Sequence, residues 1–162
     1  MAYLKARITD AAYIVAKFFS SLVFASVIGL MLFIIAAVFA DVQLYLWQWA
    51  TLLVVLLLGT LPFALIGLLL GLCLSDKAAP ALVNLIYLPM AFLSGLWIPI
   101  QFLPDPVGAI AYALPAYHYS QLAHAVIGTS QGESLWGHTL FLIAFCALMI
   151  AAVYWRYQRL SR

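Results

Sequence analysis

The chain has 162 residues, of which 68% are hydrophobic and 7% charged, with a mean hydropathy of +1.14 and a formal net charge of +2. A soluble domain carries about 25% charged residues, so this composition excludes one and describes an all-α, polytopic helical membrane protein. The small positive balance points to no nucleic-acid partner, because the basic residues sit at the ends of apolar runs.

Met1 to Lys17 is a short polar lead holding Lys5, Arg7, Asp10 and Lys17, with Asp10 placed to cap the helix that follows. A first span is predicted from Phe18 to Phe39 and contains no charge. Within it Ser21, Ala25 and Gly29 recur every four residues, a stripe of small side chains that another helix can approach closely. Asp41 to Trp49 reads as a short loop, and Ala50 to Leu74 as the second span. There Gly67, Gly71 and Ser75 repeat the same spacing, and Pro62 is expected to kink the helix without ending it. Either stripe can serve packing within the chain or contact with a second subunit. Ser75 to Ala79 is a polar break around Lys77, and Pro80 opens a third span reaching about Ile98. Asn84, Tyr87, Ala91 and Ser94 share one face of it. An Asn in lipid needs a partner, so this face is expected to point into protein. Gly128 to Gly137 is a polar loop containing Glu133, His138 to Trp155 is the fourth span, and the chain ends in Arg156, Arg159 and Arg162. Residues 1–162 thus make a single transmembrane domain.

Charge sets the orientation. With four spans, all seven cations fall on one side: Lys5, Arg7, Lys17, Lys77, Arg156, Arg159 and Arg162. By the positive-inside rule that side is the cytoplasm, and both termini lie there. Trp47, Trp49, Trp97 and Trp136 then mark the outer interface and Trp155 the inner one, as an aromatic belt requires.

Between the third and fourth spans lies a stretch that cannot cross. Ser94 to Gly128 contains Pro99, Pro104, Pro106 and Pro115 and no Lys or Arg. The prolines break any continuous helix, while Pro115 suits a first helical position. Pro104 to Ile127 is therefore expected to form two short helices meeting near Pro115, a re-entrant or interfacial pair dipping in from the outer face. On the second of these, His118, Gln121 and His124 share one face, and Tyr119, Leu122 and Val126 another. Tyr112, Tyr117 and Tyr119 read as interfacial anchors. A fifth crossing here would place the three terminal arginines outside.

The chemistry is sparse. No Asp, Glu, Lys or Arg lies in the middle of a span, so coupling to an ion gradient has no evident group to act through. There is no G-x-x-x-x-G-K-[ST] phosphate loop and no H-E-x-x-H metal motif, so no catalytic residue, metal or cofactor is assigned. Cys73 and Cys146 sit in apolar runs without disulfide or metal spacing. No cleavable signal peptide is expected, since the first apolar run is too long for one. His118, His124 and His138 are either interfacial polar residues or part of a substrate path, and Asn84, Tyr87 and Ser94 are candidates to line such a path. If the chain moves a molecule, the energy comes from a partner. Two other classes stay open: an intramembrane enzyme, such as a protease or lipid transferase using these histidines, and a four-helix scaffold that transports nothing.

The run GLLLGLCLSDKAAPALVNLIYLPMAFLSGLWIPIQFLPDPVGAIAYALPAYHYSQLAHAVIG resembles the signature region of ABC type-2 exporter permeases. The matching features are the Gly-rich span, the short turn, and a span ending in Leu93-Ser94-Gly95 with Pro99. Leu103-Pro104 and Leu114-Pro115-Ala116-Tyr117 follow in the order of that family. The resemblance implies a membrane subunit of an exporter, working with an ABC ATPase subunit and a second permease subunit, identical or not, in a bacterial inner membrane. It implies amphiphilic, drug, lipid or glycan substrates, and a re-entrant exit segment built from Gly95, Pro99, Pro104, Pro115, Tyr117, His118, Gln121 and His124. Members of the family have six spans, so four spans make this sequence look like the C-terminal part of a permease.

Overall fold

The computed structural model describes residues 2–75, 78–95, 97–98, 100–129, 132 and 134–160, with side chains from Val15 onward except those of Lys17, Gln101, Asp105 and Leu160. Among them every regular element is helical: α1 (Ala2–Phe39), α2 (Leu46–Cys73), α3 (Ala79–Leu93), α4 (Asp105–Ala111), α5 (Pro115–Val126) and α6 (Leu135–Leu160), with a 3-10 turn at Ile100–Phe102. Helices satisfy their own backbone groups, which is what lets so apolar a chain lie in lipid. Among the described residues three helical stretches are long and apolar enough to cross a bilayer: Phe18–Phe39, Leu46–Cys73 and Leu135–Arg159. The sequence leads one to expect four, and the third of those differs. Helix α3 has 15 residues, about 22 Å at about 1.5 Å per residue, against a hydrocarbon core of about 30 Å.

Other boundaries shift for local reasons. Asp10 lies inside α1 and does not cap it, because the polar lead continues the helix back to Ala2. Helix α2 begins at Leu46, four residues before the expected Ala50. The turn before it uses Asp41 at a φ of 51°, and the Gln48 side chain accepts the Tyr45 backbone N–H at 2.9 Å, satisfying a donor at the helix start. Helix α2 runs on through Pro62, which is fully buried.

The chain divides into two compact units, residues 1–60 and 61–162. In the first, α1 meets the first half of α2 at Gly29 and Phe33. Gly29 is buried, and a Cβ there would stand 3.6 Å from Leu56 Cδ1 and 3.9 Å from Leu53 Cδ1. Phe33 and Trp49 pack with ring centroids 4.9 Å apart. Ala25 is half-buried and Ser21 exposed, so of that stripe Gly29 is the point of close approach. Little of the apolar face of α1 is buried against the first half of α2.

In the second unit, α5 lies along α6 while α3 packs on α4 and α5. The core is small and formed largely by α4 and α5, with Ala111, Ala116 and Tyr117 buried.

The contact at Gly29 sets a size limit. Gly29→Ala places its methyl at ordinary contact distance and should be tolerated, whereas Gly29→Leu should cost about 1–3 kcal/mol by overpacking. Unfolding of each variant by denaturing detergent checks this, and equal stability of Gly29→Leu and the parent would contradict it.

Candidate functional site

The site is the irregular chain between α3 and α6 with the helices that hold it. Its first feature is the stop at the end of α3. Ser94 caps the helix, with its hydroxyl bonded to the Ala91 carbonyl at 2.7 Å. Gly95 follows at a φ of +82°, the left-handed geometry that favours glycine just past a helix end. A Cβ on Gly95 would also stand 3.2 Å from Ile100 Cγ1. Pro99 lies outside the described residues. Beyond the 3-10 turn, Pro104 sits just ahead of α4, and α4 ends at Ala111, three residues before Leu114. Leu114 is extended, and Pro115 takes the first turn of α5, where its missing N–H is harmless. The two short helices thus meet at Pro115, as the proline spacing predicts.

Ser120 fastens this arrangement. It is completely buried, and its hydroxyl faces the Ser94 carbonyl at 2.8 Å and the Tyr117 carbonyl at 2.7 Å. One side chain on α5 therefore reaches the point where α3 stops. Sequence reading passes over it, because a lone serine on a short helix carries no pattern. Its place one turn after Tyr117, on the buried face, is the one available signal.

The polar face of α5 divides in three. His118 packs against α6: its Nδ1 lies 2.9 Å from His138 Nδ1, and its ring stacks on Phe141 at 3.7 Å between centroids. Its Nε2 lies 2.9 Å from the Tyr112 carbonyl. A carbonyl only accepts, so His118 Nε2 carries a hydrogen. Tyr117 is buried beside both imidazoles, edge-on to each, and also meets the Tyr112 ring edge-on. His138 itself is 5% exposed. His124 instead bonds Thr129 Oγ1 at 3.0 Å, and Gln121 is half-buried. The sequence places His118 and His138 in different elements without a motif to join them, and their pairing is a product of the fold.

On the other side of α5, Tyr119 meets Phe63 of α2 edge-on, with centroids 6.2 Å apart. Phe63 also packs on Tyr87 of α3, whose hydroxyl donates to the Phe63 carbonyl at 2.6 Å. Gly67 makes room there, since its added Cβ would sit 3.8 Å from that hydroxyl. Gly71 has nothing within 4 Å of an added Cβ, and it and Ser75 are exposed. The α3 face is mixed as well: Ser94 is buried, Tyr87 and Ala91 half-buried, and Asn84 exposed. Tyr87 and Ser94 therefore lie in the same packed region as α5, and Asn84 does not join them. Cys73 and Cys146 are free thiols. The described residues contain no cluster of three or more metal-ligating side chains.

The arrangement offers a backbone interruption pinned by hydroxyls, with a paired-histidine contact holding a short helix to a long one. Ser120→Ala should cost about 1 kcal/mol by removing a buried hydroxyl hydrogen bond. Denaturing-detergent titration of the purified chain measures it, and an unchanged midpoint would show that Ser120 fastens nothing.

Comparison with known proteins points the same way. Residues 3–127 match the profile of the family described as "ABC-2 type transporter". Over 119 residues the chain is 30% identical to a protein of Bacillus subtilis (strain 168) named "Putative transport permease YvfS", an overlap of 74% of this chain and 48% of that one. The chain thus spans about half the length of this curated relative. No solved structure matches.

Proposed function

Since the chain belongs to the ABC-2 type transporter family, we propose that it forms part of a membrane-spanning permease subunit of an ATP-binding-cassette exporter, lining a path for an amphiphilic substrate of drug, lipid or glycan type. The observation that carries this reading is the segment from Ser94 to Val126. A helix stops at Gly95, and two short helices follow that hang on α3 and α6 by buried hydroxyl and imidazole contacts. Irregular backbone is tolerated at membrane depth where protein or a water-filled cavity satisfies it, which is what an exit segment needs. In this reading the pair dips in from the outer face, and Tyr87, Ser94, His118, Gln121 and His124 lie beside the path.

Four crossings and two cytoplasmic termini follow from the charges, with α3 as a short crossing. Its length of about 22 Å suffices where α4 and α5 take the place of lipid on the outer side. Both units belong to one permease domain in this account, and the family match runs across the two. The sequence holds no phosphate loop, so ATP is hydrolysed by a separate subunit and the chain itself is no enzyme. A second permease subunit is the natural cover for the exposed Asn84 of α3 and the open face at Gly71, because an amide facing lipid costs free energy. The expected location is a bacterial plasma membrane. The enzyme alternative gains no support at His118, whose ring nitrogens face His138 and the Tyr112 carbonyl.

Purification of the protein from its native membrane in mild detergent tests the reading. An ATP-binding subunit carrying a phosphate loop should co-purify, and ATP turnover should disappear when that subunit is removed. Turnover by the isolated chain, or a chain that purifies without any ATP-binding partner, would contradict it.

A further inference from the structure

We propose that Pro62 is a hinge in α2, and that the Tyr87 hydroxyl holds this hinge in one setting by clamping the following turn to α3. The part of α2 beyond the hinge then moves with α3 and α5 as one body. The proposal deepens the exit-segment reading above and rests on it for its functional meaning. Its structural basis is separate.

Helix α2 is weak around Pro62. Pro62 has no N–H to give the Leu58 carbonyl, four residues back. Gly59, three residues before it, has no side chain to restrain the backbone. The Thr60 hydroxyl donates to the Leu57 carbonyl at 2.7 Å, a back-bond of the kind that bends helices. Kinks in long helices collect at proline and where a side chain enters the backbone ladder, and α2 has both. The boundary between the two compact units, after Thr60, falls inside this same turn.

Tyr87 is the side chain that enters. Its hydroxyl donates at 2.6 Å to the carbonyl of Phe63, one residue past Pro62. In a helix that carbonyl accepts from the N–H four residues on, at Gly67, and the Gly67 backbone also interacts with the Tyr87 hydroxyl. The phenol thus spans one turn of the α2 ladder. Its ring packs on Phe63 with centroids 5.9 Å apart, and Tyr119 of α5 meets the same Phe63 ring edge-on. Helices α3 and α5 are joined in turn by Ser120 on the Ser94 carbonyl. These contacts close a circuit through α2, α3 and α5, all of it beyond Pro62. A change of setting at the hinge is therefore passed to α5, which carries the exit segment.

Pulsed electron–electron resonance on the full chain in lipid nanodiscs reads the hinge. Spin labels go on Thr51→Cys and on native Cys73, with Cys146 replaced. Both labelled positions are exposed and bracket Pro62 on α2. Tyr87→Phe keeps the ring and removes the hydroxyl. Other settings of the hinge should gain about fivefold in population, the worth of one hydrogen bond, and broaden the distance distribution. Pro62→Ala restores the missing N–H, so the double variant Tyr87→Phe with Pro62→Ala should return to a narrow distribution. An unchanged distribution in Tyr87→Phe would overturn the proposal, as would a broadening that survives Pro62→Ala. Should either variant fail to fold, solid-state NMR of the parent decides. A cross-peak between the Tyr87 hydroxyl proton and the Phe63 carbonyl carbon supports the clamp, and its absence refutes it. Broadening in Tyr87→Phe without any change in export by the assembled transporter would uphold the hinge and overturn the exit reading instead.

Discussion

A helix that stops inside a membrane protein leaves carbonyls that lipid cannot satisfy, and the second unit of this chain is arranged around that constraint. Helix α3 stops at Ser94 because Gly95 takes a left-handed turn. The carbonyl exposed by the stop is taken up by the Ser120 hydroxyl, 26 residues later and completely buried. That bond requires α5 to lie against the end of α3. Once α5 is there, His118 meets His138 on α6, and Tyr119 meets Phe63 on α2. The short helices are thus placed by polar contacts at a few points more than by apolar burial, which is slight within this chain.

This economy suits a moving part. Hydrophobic packing between helices gives little in lipid, where the surroundings are as apolar as the side chains. A handful of hydrogen bonds then decides where α5 sits, and each contributes about 1 kcal/mol net. An element held so lightly can be shifted by a small change in free energy. In the first unit, α1 touches α2 at Gly29 and Phe33 by apolar contact.

Much of this was legible in the sequence, and the physics explains which parts. Membrane helices announce themselves by composition, so α1, α2 and α6 lie where the apolar runs are. Prolines report directly on backbone geometry, and Pro115 begins α5 as its chemistry requires. The end of α3 was harder, because Ile98 is as apolar as Leu93 and hydropathy does not register a glycine turn. Asp10 misled, since a helix-capping residue is equally able to sit inside a long helix. Small-residue spacing pointed to Gly29, Gly67 and Gly71 alike, and among the described residues Gly29 and Gly67 have a side chain within 4 Å of an added Cβ. Polar pairing was not legible at all. His118, His138, Ser94 and Ser120 find one another through the fold, and no local pattern encodes a contact across 20 or 26 residues.

The account stands on the α4–α5 pair entering and leaving the membrane on the same, outer, side. Single cysteines at Phe102, ahead of α4, and at Thr129, after α5, bracket it. A membrane-impermeant thiol reagent applied to intact cells, with native Cys73 and Cys146 replaced, should label both. Labelling at Phe102 with Thr129 reached only after the membrane is broken would mean that the segment crosses, and the account would fail.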